Sequence, residues 1–172
     1  MSDEPDATAD LGSRLLLGGI AGIAATVAMT AVMHRLHARL PASEQYPLPP
    51  REISERAFAP QGDERTKDIA TAAHAAYGAG SGALLAAADP AISPARGALA
   101  GVAIWSASYF GWVPVTGLLM PAHRHPPRRN ALMVIAHLAW GAAGALAYRE
   151  LVRARTTTLR AGPLADAPES GQ

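Results

Sequence analysis

Four stretches of the sequence are almost free of charge, and each is long enough to cross a lipid bilayer as one helix. They cover residues 15–33, 69–88, 97–120 and 131–148. A bilayer core about 30 Å thick needs roughly 20 helical residues, so each stretch fits one span. The rival interpretation is a soluble four-helix bundle, whose helices carry a charged outer face that these stretches lack. The sequence therefore predicts an all-α polytopic membrane protein with four transmembrane helices.

The composition of the whole chain excludes several classes of partner and cofactor. Mean hydropathy is only +0.09, because polar ends and loops dilute the apolar stretches. The net charge of +1 gives no basic face for nucleic acid. The chain has no cysteine, which excludes disulfides, iron–sulfur clusters and thiolate zinc sites. We expect no cofactor, and the expected partners are the lipid bilayer and, as an open alternative, a second copy of the chain.

The predicted domain boundaries divide the chain into three parts. Residues 1–13 are predicted to be a disordered acidic tail, because they contain no basic residue to start a signal peptide. A cleaved signal sequence remains the alternative for the first apolar stretch. Residues 14–155 form the transmembrane domain, and residues 156–172 are a second disordered tail. The spans are expected at about residues 15–36, 68–88, 95–120 and 130–152.

Local signals predict where these helices begin and bend. Ser93 followed by Pro94 is typical of a helix start, and Asn130 is the predicted N-cap of the last helix. Pro114 predicts a kink, since proline removes one backbone hydrogen bond. Residues 51–58 (REISERAF) predict a short surface helix. This helix rests either on lipid headgroups or on the protein's own loops.

The two halves of the sequence repeat one unit. GGIAGIA at residues 18–24 matches GALAGVA at residues 97–103, and HAAYGAGSGALL from His74 matches HLAWGAAGALAY from His137 with one residue deleted. The motif PPR lies between these matches in both halves, at Pro49, Pro50 and Arg51 and at Pro126, Pro127 and Arg128. Two helices return the chain to its starting side. The repeats, residues 14–90 and 95–155, are therefore predicted to be related by a pseudo-twofold axis along the membrane normal.

Small residues recur four apart on every predicted span. The pairs are Gly18 with Gly22, Gly78 with Gly82, Gly97 with Gly101, and Gly141 with Ala145. Lipid gives no hydrophobic drive between helices, so small residues that let backbones approach are the usual basis of packing. The pattern predicts that these positions are helix contacts, within one chain or between two.

These motifs resemble a known family. LPPR at residues 48–51, GALAG at residues 97–101, AHLAWG at residues 136–141 and the basic end that follows are similar to the YagU-like bacterial inner-membrane proteins. The resemblance covers roughly residues 15–155. It implies a multi-pass protein of the bacterial inner membrane and supplies no catalytic residue. The acidic amino-terminal tail and the lengths of the two PPR loops depart from the family pattern.

Histidine is the residue type that points to chemistry. His74 and His137 are predicted to lie roughly 8–9 Å inside the same membrane boundary, each one helical turn before a packing glycine and close to Tyr77 or Trp140. Either they hydrogen-bond loop carbonyls and stabilise the bundle, or they form a proton or metal site. Weaker metal candidates are His34, His37, His123 and His125. No HExxH pattern is present.

The function that these features predict is a small, non-enzymatic multi-pass membrane protein of structural or accessory type. The alternative is a small transporter or channel for protons or metal ions that uses the histidine-rich side. A membrane enzyme ranks third, because no acid–base pair lies within an apolar span. Basic residues are more numerous on the side of the PPR loops, but the acids there and the basic carboxyl-terminal end leave the orientation open.

Overall fold

The computed structural model describes residues 10–58, 62–160 and 162, and this part of the chain is helical throughout, with no strand. In chain order the helices are α1 (Leu11–His37), α2 (Pro49–Phe58), α3 (Asp63–Ala88), α4 (Pro94–Ala107), α5 (Val113–Val115) and α6 (Pro127–Thr156). Short 3₁₀ turns occur at Ala42–Glu44 and Ala122–Arg124. The predicted tails fall mostly at residues 1–9, 161 and 163–172, which lie outside the described residues.

Within the residues that the structure describes, three helical segments are long and apolar enough to cross a membrane. They are Leu11–His37, Pro94–Val115 and Pro127–Thr156. The predicted all-helical fold is therefore confirmed, with three candidate membrane spans where the sequence predicted four. α3 is similar in length, but its first six residues include five charged ones before the uncharged residues 69–88 begin.

Besides α3, which begins at Asp63, the helices α1 and α6 begin earlier than the sequence predicted. α1 starts at Leu11, inside the predicted tail, because the carboxylate of Asp10 accepts a 3.0 Å hydrogen bond from the Ser13 amide and caps the first turn. α6 starts at Pro127, and its N-cap is Pro126. The predicted N-cap, Asn130, was wrong; it lies in the first turn and its amide donates a 2.7 Å hydrogen bond to the Ala122 carbonyl.

The third apolar stretch bends and ends before its predicted limit. A π-helical turn, Ser108–Trp112, separates α4 from α5, and Gly111 inside it has φ −109° and ψ −111°. Pro114 lies two residues after this turn and has no backbone N–H with which to continue the helical hydrogen bonds. The predicted kink therefore occurs about one turn before the proline. Helical geometry stops at Val115, and Gly117 has φ +73°, which ends the span short of residue 120.

α1 and α3 run antiparallel with their backbones in direct contact. Gly18 faces Gly82 and Ala86, and one turn further on Gly22 faces Gly78. A Cβ added at Gly18 or at Gly22 would lie less than 3.0 Å from backbone atoms of α3. Only glycine permits this separation.

α4 and α6 make the same kind of antiparallel contact, but their register is displaced by one helical turn. Gly22 lies against Gly78, whereas Gly101, which matches Gly22 in the sequence, lies against His137, one turn before Gly141. The second pair therefore uses the small residues one turn nearer the PPR loop.

The helix pairs meet through α1 and α6, which pack along each other at the centre of the molecule. Within the described helices, α3 and α4 do not pack closely, and a 2.8 Å hydrogen bond between Tyr77 Oη and Ser108 Oγ bridges them. The helices of the bundle therefore pack in the order α3, α1, α6, α4, and the loosest interface is the one between α3 and α4.

The short helix α2 packs on the protein. Ser54 is buried, and Leu48 and Ile53 contact the apolar cluster that includes Met29, Trp105 and Leu132. These contacts agree with the predicted packing of residues 51–58 on the protein itself. The helix stabilises the loop side of the bundle from within the chain.

Candidate functional site

His74 and His137 line the same small cavity in the middle of the bundle. α1 contributes Thr26 and Met29, α3 contributes His74, Tyr77, Gly78 and Ser81, α4 contributes Ile104, and α6 contributes His137 and Trp140. The cavity's water-accessible volume is about 30 Å³, enough for a few waters at most, since one water needs about 10–15 Å³ on this measure. The two repeat-equivalent histidines therefore face one shared space.

His137 has a fixed orientation. Its Nδ1 lies 2.7 Å from the carbonyl oxygen of Met133, one turn earlier in α6, and must donate because a carbonyl only accepts. In the neutral ring the lone pair then resides on Nε2. The Trp105 ring centroid lies 6.4 Å from the imidazole centroid. We expected His137 to bond a loop carbonyl, but its partner belongs to its own helix.

His74 contrasts with His137 in its hydrogen bonding. Its Nε2 is buried and has no hydrogen-bond partner. A buried polar atom without a partner costs about 1–3 kcal/mol, so such atoms are rare unless a ligand or water completes them. The histidine is half-buried as a whole, and the unpartnered nitrogen is the feature that distinguishes this cavity.

Tyr77 and Trp140, the predicted neighbours of the histidines, both line the cavity, but their polar atoms bond elsewhere. The Trp140 indole N–H donates to Thr26 Oγ1 at 3.2 Å, and that hydroxyl donates to the Gly22 carbonyl at 2.8 Å. The Tyr77 hydroxyl is taken up by Ser108. The two aromatic side chains therefore shape the cavity, and their own polar atoms already have hydrogen-bond partners.

A second polar cluster lies on the loop side and was not predicted from the sequence. The Tyr46 cluster consists of His37, Tyr46, His125 and Arg129. His125 Nε2 donates to the Met120 carbonyl at 3.2 Å, and in the neutral ring its Nδ1 then accepts the 3.1 Å hydrogen bond from the Tyr46 hydroxyl. His37 Nε2 donates to the Tyr46 carbonyl at 3.1 Å. Burial raises the pKa of the Tyr46 phenol.

Arg129 is the centre of this cluster and is only 2% exposed. Its guanidinium donates to the carbonyl oxygens of Tyr46 and Pro47, with a longer 3.5 Å contact to the Glu44 carbonyl, and the Glu52 carboxylate lies 4.0 Å away. The sequence shows Arg129 only as one of several basic residues near the PPR motif. No periodicity marks it, because its partners, from Glu44 to Glu52, lie far earlier in the chain, on the first loop and α2.

The PPR motifs start helices in both halves. Pro49 is the first residue of α2, and Pro127 is the first residue of α6. Arg51 forms ion pairs with Glu55 at 2.7 Å and with Asp63 at 2.5 Å, which links α2 to α3. The second motif arginine, Arg128, is exposed. The two arginines of the repeat therefore have different environments.

The weaker histidine candidates do not converge. His37 and His125 belong to the Tyr46 cluster, while His34 and His123 are exposed. Across the residues that the structure describes, no group of three or more His, Asp and Glu side chains is placed to hold a metal ion.

No protein-family model matches this chain, and neither a curated protein nor a solved structure matches it significantly. The similarity to YagU-like proteins therefore stays a prediction from the motifs.

Proposed function

We propose that this chain is a four-span membrane protein of structural or accessory type, without catalytic activity, built from two tandem two-helix units with both termini on one side. The observation that carries the proposal is the antiparallel backbone contact between α1 and α3 at Gly18 with Gly82 and Gly22 with Gly78. α1 is apolar enough to span a membrane. Because α3 packs along the apolar centre of α1, we expect α3 to occupy the same depth of the bilayer as α1.

The surface of α3 supports this assignment. Residues 69–88 are uncharged, and Leu84 on its outer face is 70% exposed. The charged first turns of α3 lie at the loop side, where Asp63 pairs with Arg51 and Lys67. A helix with a charged end and an exposed apolar body suits a span whose first turns emerge among the headgroups.

The structural or accessory role is supported by how the polar groups are used. Arg129 and His37 bond backbone carbonyls of the first loop, and Trp140 and Thr26 bond each other within the bundle. These contacts hold elements together. The motif similarity to the YagU-like proteins supports a location in the bacterial inner membrane.

Reporter fusions test this proposal. Fusions after residues 60, 92, 125 and 160 should alternate in location, with 60 and 125 on one side and 92 and 160 on the other. Fusions at 60 and 125 on opposite sides would refute both the four-span topology and the repeat. Fusions at 60 and 92 on the same side would remove α3 as a span.

A second candidate function is a small transporter or channel for protons or metal ions. It is favoured by the shared cavity of His74 and His137, because paired imidazoles inside an apolar bundle are typical of ion pathways. Liposomes that contain the purified protein and an internal pH or metal indicator test it. Flux that the double variant His74→Gln/His137→Gln abolishes supports transport, and equal flux with both proteins refutes it.

A further inference from the structure

The cavity between the four long helices contains a third potential metal donor besides its two imidazoles. Met29 lines it together with His74 and His137 and is only 4% exposed. Met33, one turn further along α1, is equally buried but does not line the cavity. The three donors come from three different helices, so the fold assembles them from distant parts of the sequence.

Both imidazoles are in a state that suits coordination. The bond from His137 Nδ1 to the Met133 carbonyl fixes the ring and leaves the Nε2 lone pair available, which is the usual outer-shell arrangement of a metal-binding histidine. His74 Nε2 is buried without a partner. A metal ion would satisfy an atom for which the protein supplies nothing.

The charge of the donor set selects the kind of ion. The residues that line the cavity are neutral or apolar, and none of them is a carboxylate. Burying a charge in an apolar bundle is costly, and the cost rises steeply from a monovalent to a divalent ion. Thioether sulfur is a soft donor that favours Cu(I), and imidazole also binds copper, whereas carboxylates favour harder ions.

From this combination we propose that the cavity is a Cu(I) site formed by the thioether of Met29 and the imidazoles of His74 and His137. The water-accessible volume of about 30 Å³ has room for a cation without its hydration shell. The proposal goes beyond the structural or accessory role. It does not depend on the membrane topology, because binding is measured on purified protein.

The experiment is an anaerobic Cu(I) titration of the detergent-purified chain against a chromogenic Cu(I) chelator, with X-ray absorption spectroscopy of the loaded protein. We expect one Cu(I) per chain, with both nitrogen and sulfur scattering. Zinc at the same concentration should not displace it, and Ag(I) should. Loss of an outer-shell partner alone weakens metal binding by about 10–100-fold, so Met29→Leu and His137→Gln should each cost more than about tenfold.

Matched variants separate this site from adventitious binding. Met33→Leu makes the same substitution at an equally buried methionine and should leave the affinity unchanged, as should the exposed pair His34→Gln/His123→Gln. Leucine conserves the volume of methionine, so Met29→Leu should fold. The proposal is overturned if wild-type protein binds no Cu(I), if its spectrum lacks sulfur scattering, or if binding is lost in His34→Gln/His123→Gln and kept in Met29→Leu.

Discussion

The guanidinium carbon of Arg129 lies 3.5 Å from the centre of the Tyr46 ring, and Nη1 of the same arginine donates a 2.9 Å hydrogen bond to the Tyr46 carbonyl. A planar cation thus stacks on the ring of a residue whose backbone it also binds. The two residues are 83 positions apart. Their contact joins the first loop to the beginning of α6, and so joins the two halves of the chain on the loop side.

Replacing Arg129 with lysine should loosen this connection. Arg129→Lys keeps the charge, but an ammonium cannot reproduce the fork that reaches both the Tyr46 and the Pro47 carbonyls. Each hydrogen bond to a charged group contributes about 1.5–3 kcal/mol, so a clear fall in melting temperature in detergent is expected. The adjacent, exposed Arg128→Lys is the control and should melt like wild type. Equal melting of both variants would contradict a stabilising role for Arg129.

The close contact between α1 and α3 predicts a sharp difference between two glycines. Gly22→Ala places a Cβ less than 3.0 Å from the Gly78 carbonyl, so backbone must move, and such overpacking costs typically about 1–3 kcal/mol. Gly80→Ala on α3 meets nothing within 4 Å. That substitution should be neutral or stabilise the helix by about 0.5–1 kcal/mol.

Denaturation in a graded detergent series measures both alanine variants, with Leu84→Ala as an exposed apolar reference. Gly22→Ala, like the bulkier Gly78→Leu and Gly101→Leu, should unfold well before Gly80→Ala and Leu84→Ala. If Gly22→Ala were as stable as Gly80→Ala, the two helices would have to be further apart than the structure places them.

His74 should respond to substitution differently from a histidine with a structural partner. Its buried Nε2 has no hydrogen bond, so His74→Leu removes an unsatisfied polar atom and should leave metal-free stability unchanged or raise it by about 1 kcal/mol. The measurement is the melting temperature in excess chelator, with the exposed His34→Leu as control. A loss of more than about 1 kcal/mol would mean that His74 has a partner after all, such as ordered water.

The sequence predicted those parts of the fold that depend on local pattern. The four uncharged stretches coincide with α1, the apolar part of α3, the helices α4 and α5 with the π turn between them, and α6. Helix starts were less predictable, since Asn130 looks like a cap until its bond to Ala122 is seen. Likewise, nothing local in the sequence marks the register in which α4 packs on α6.

The site was predictable only in part, for the same reason. The repeat identified His74 and His137 as equivalent, because equivalence is visible in a self-comparison. Nothing local to α1 marks Met29 as their neighbour, and nothing local to α6 marks Arg129 as the partner of Tyr46. Contacts between helices depend on rotation and register, which a single sequence does not fix.

The measurement that tests the four-span account most directly is the labelling of single cysteines, which is clean because the chain contains none of its own. Ser43→Cys and Ala91→Cys place exposed thiols in the loops before and after α3. In intact cells a membrane-impermeant maleimide should label only one of the two, and after permeabilisation it should label both. His123→Cys should behave like Ser43→Cys. If Ser43→Cys and Ala91→Cys are both labelled in intact cells, or both protected until permeabilisation, α3 does not cross the membrane and the account is wrong.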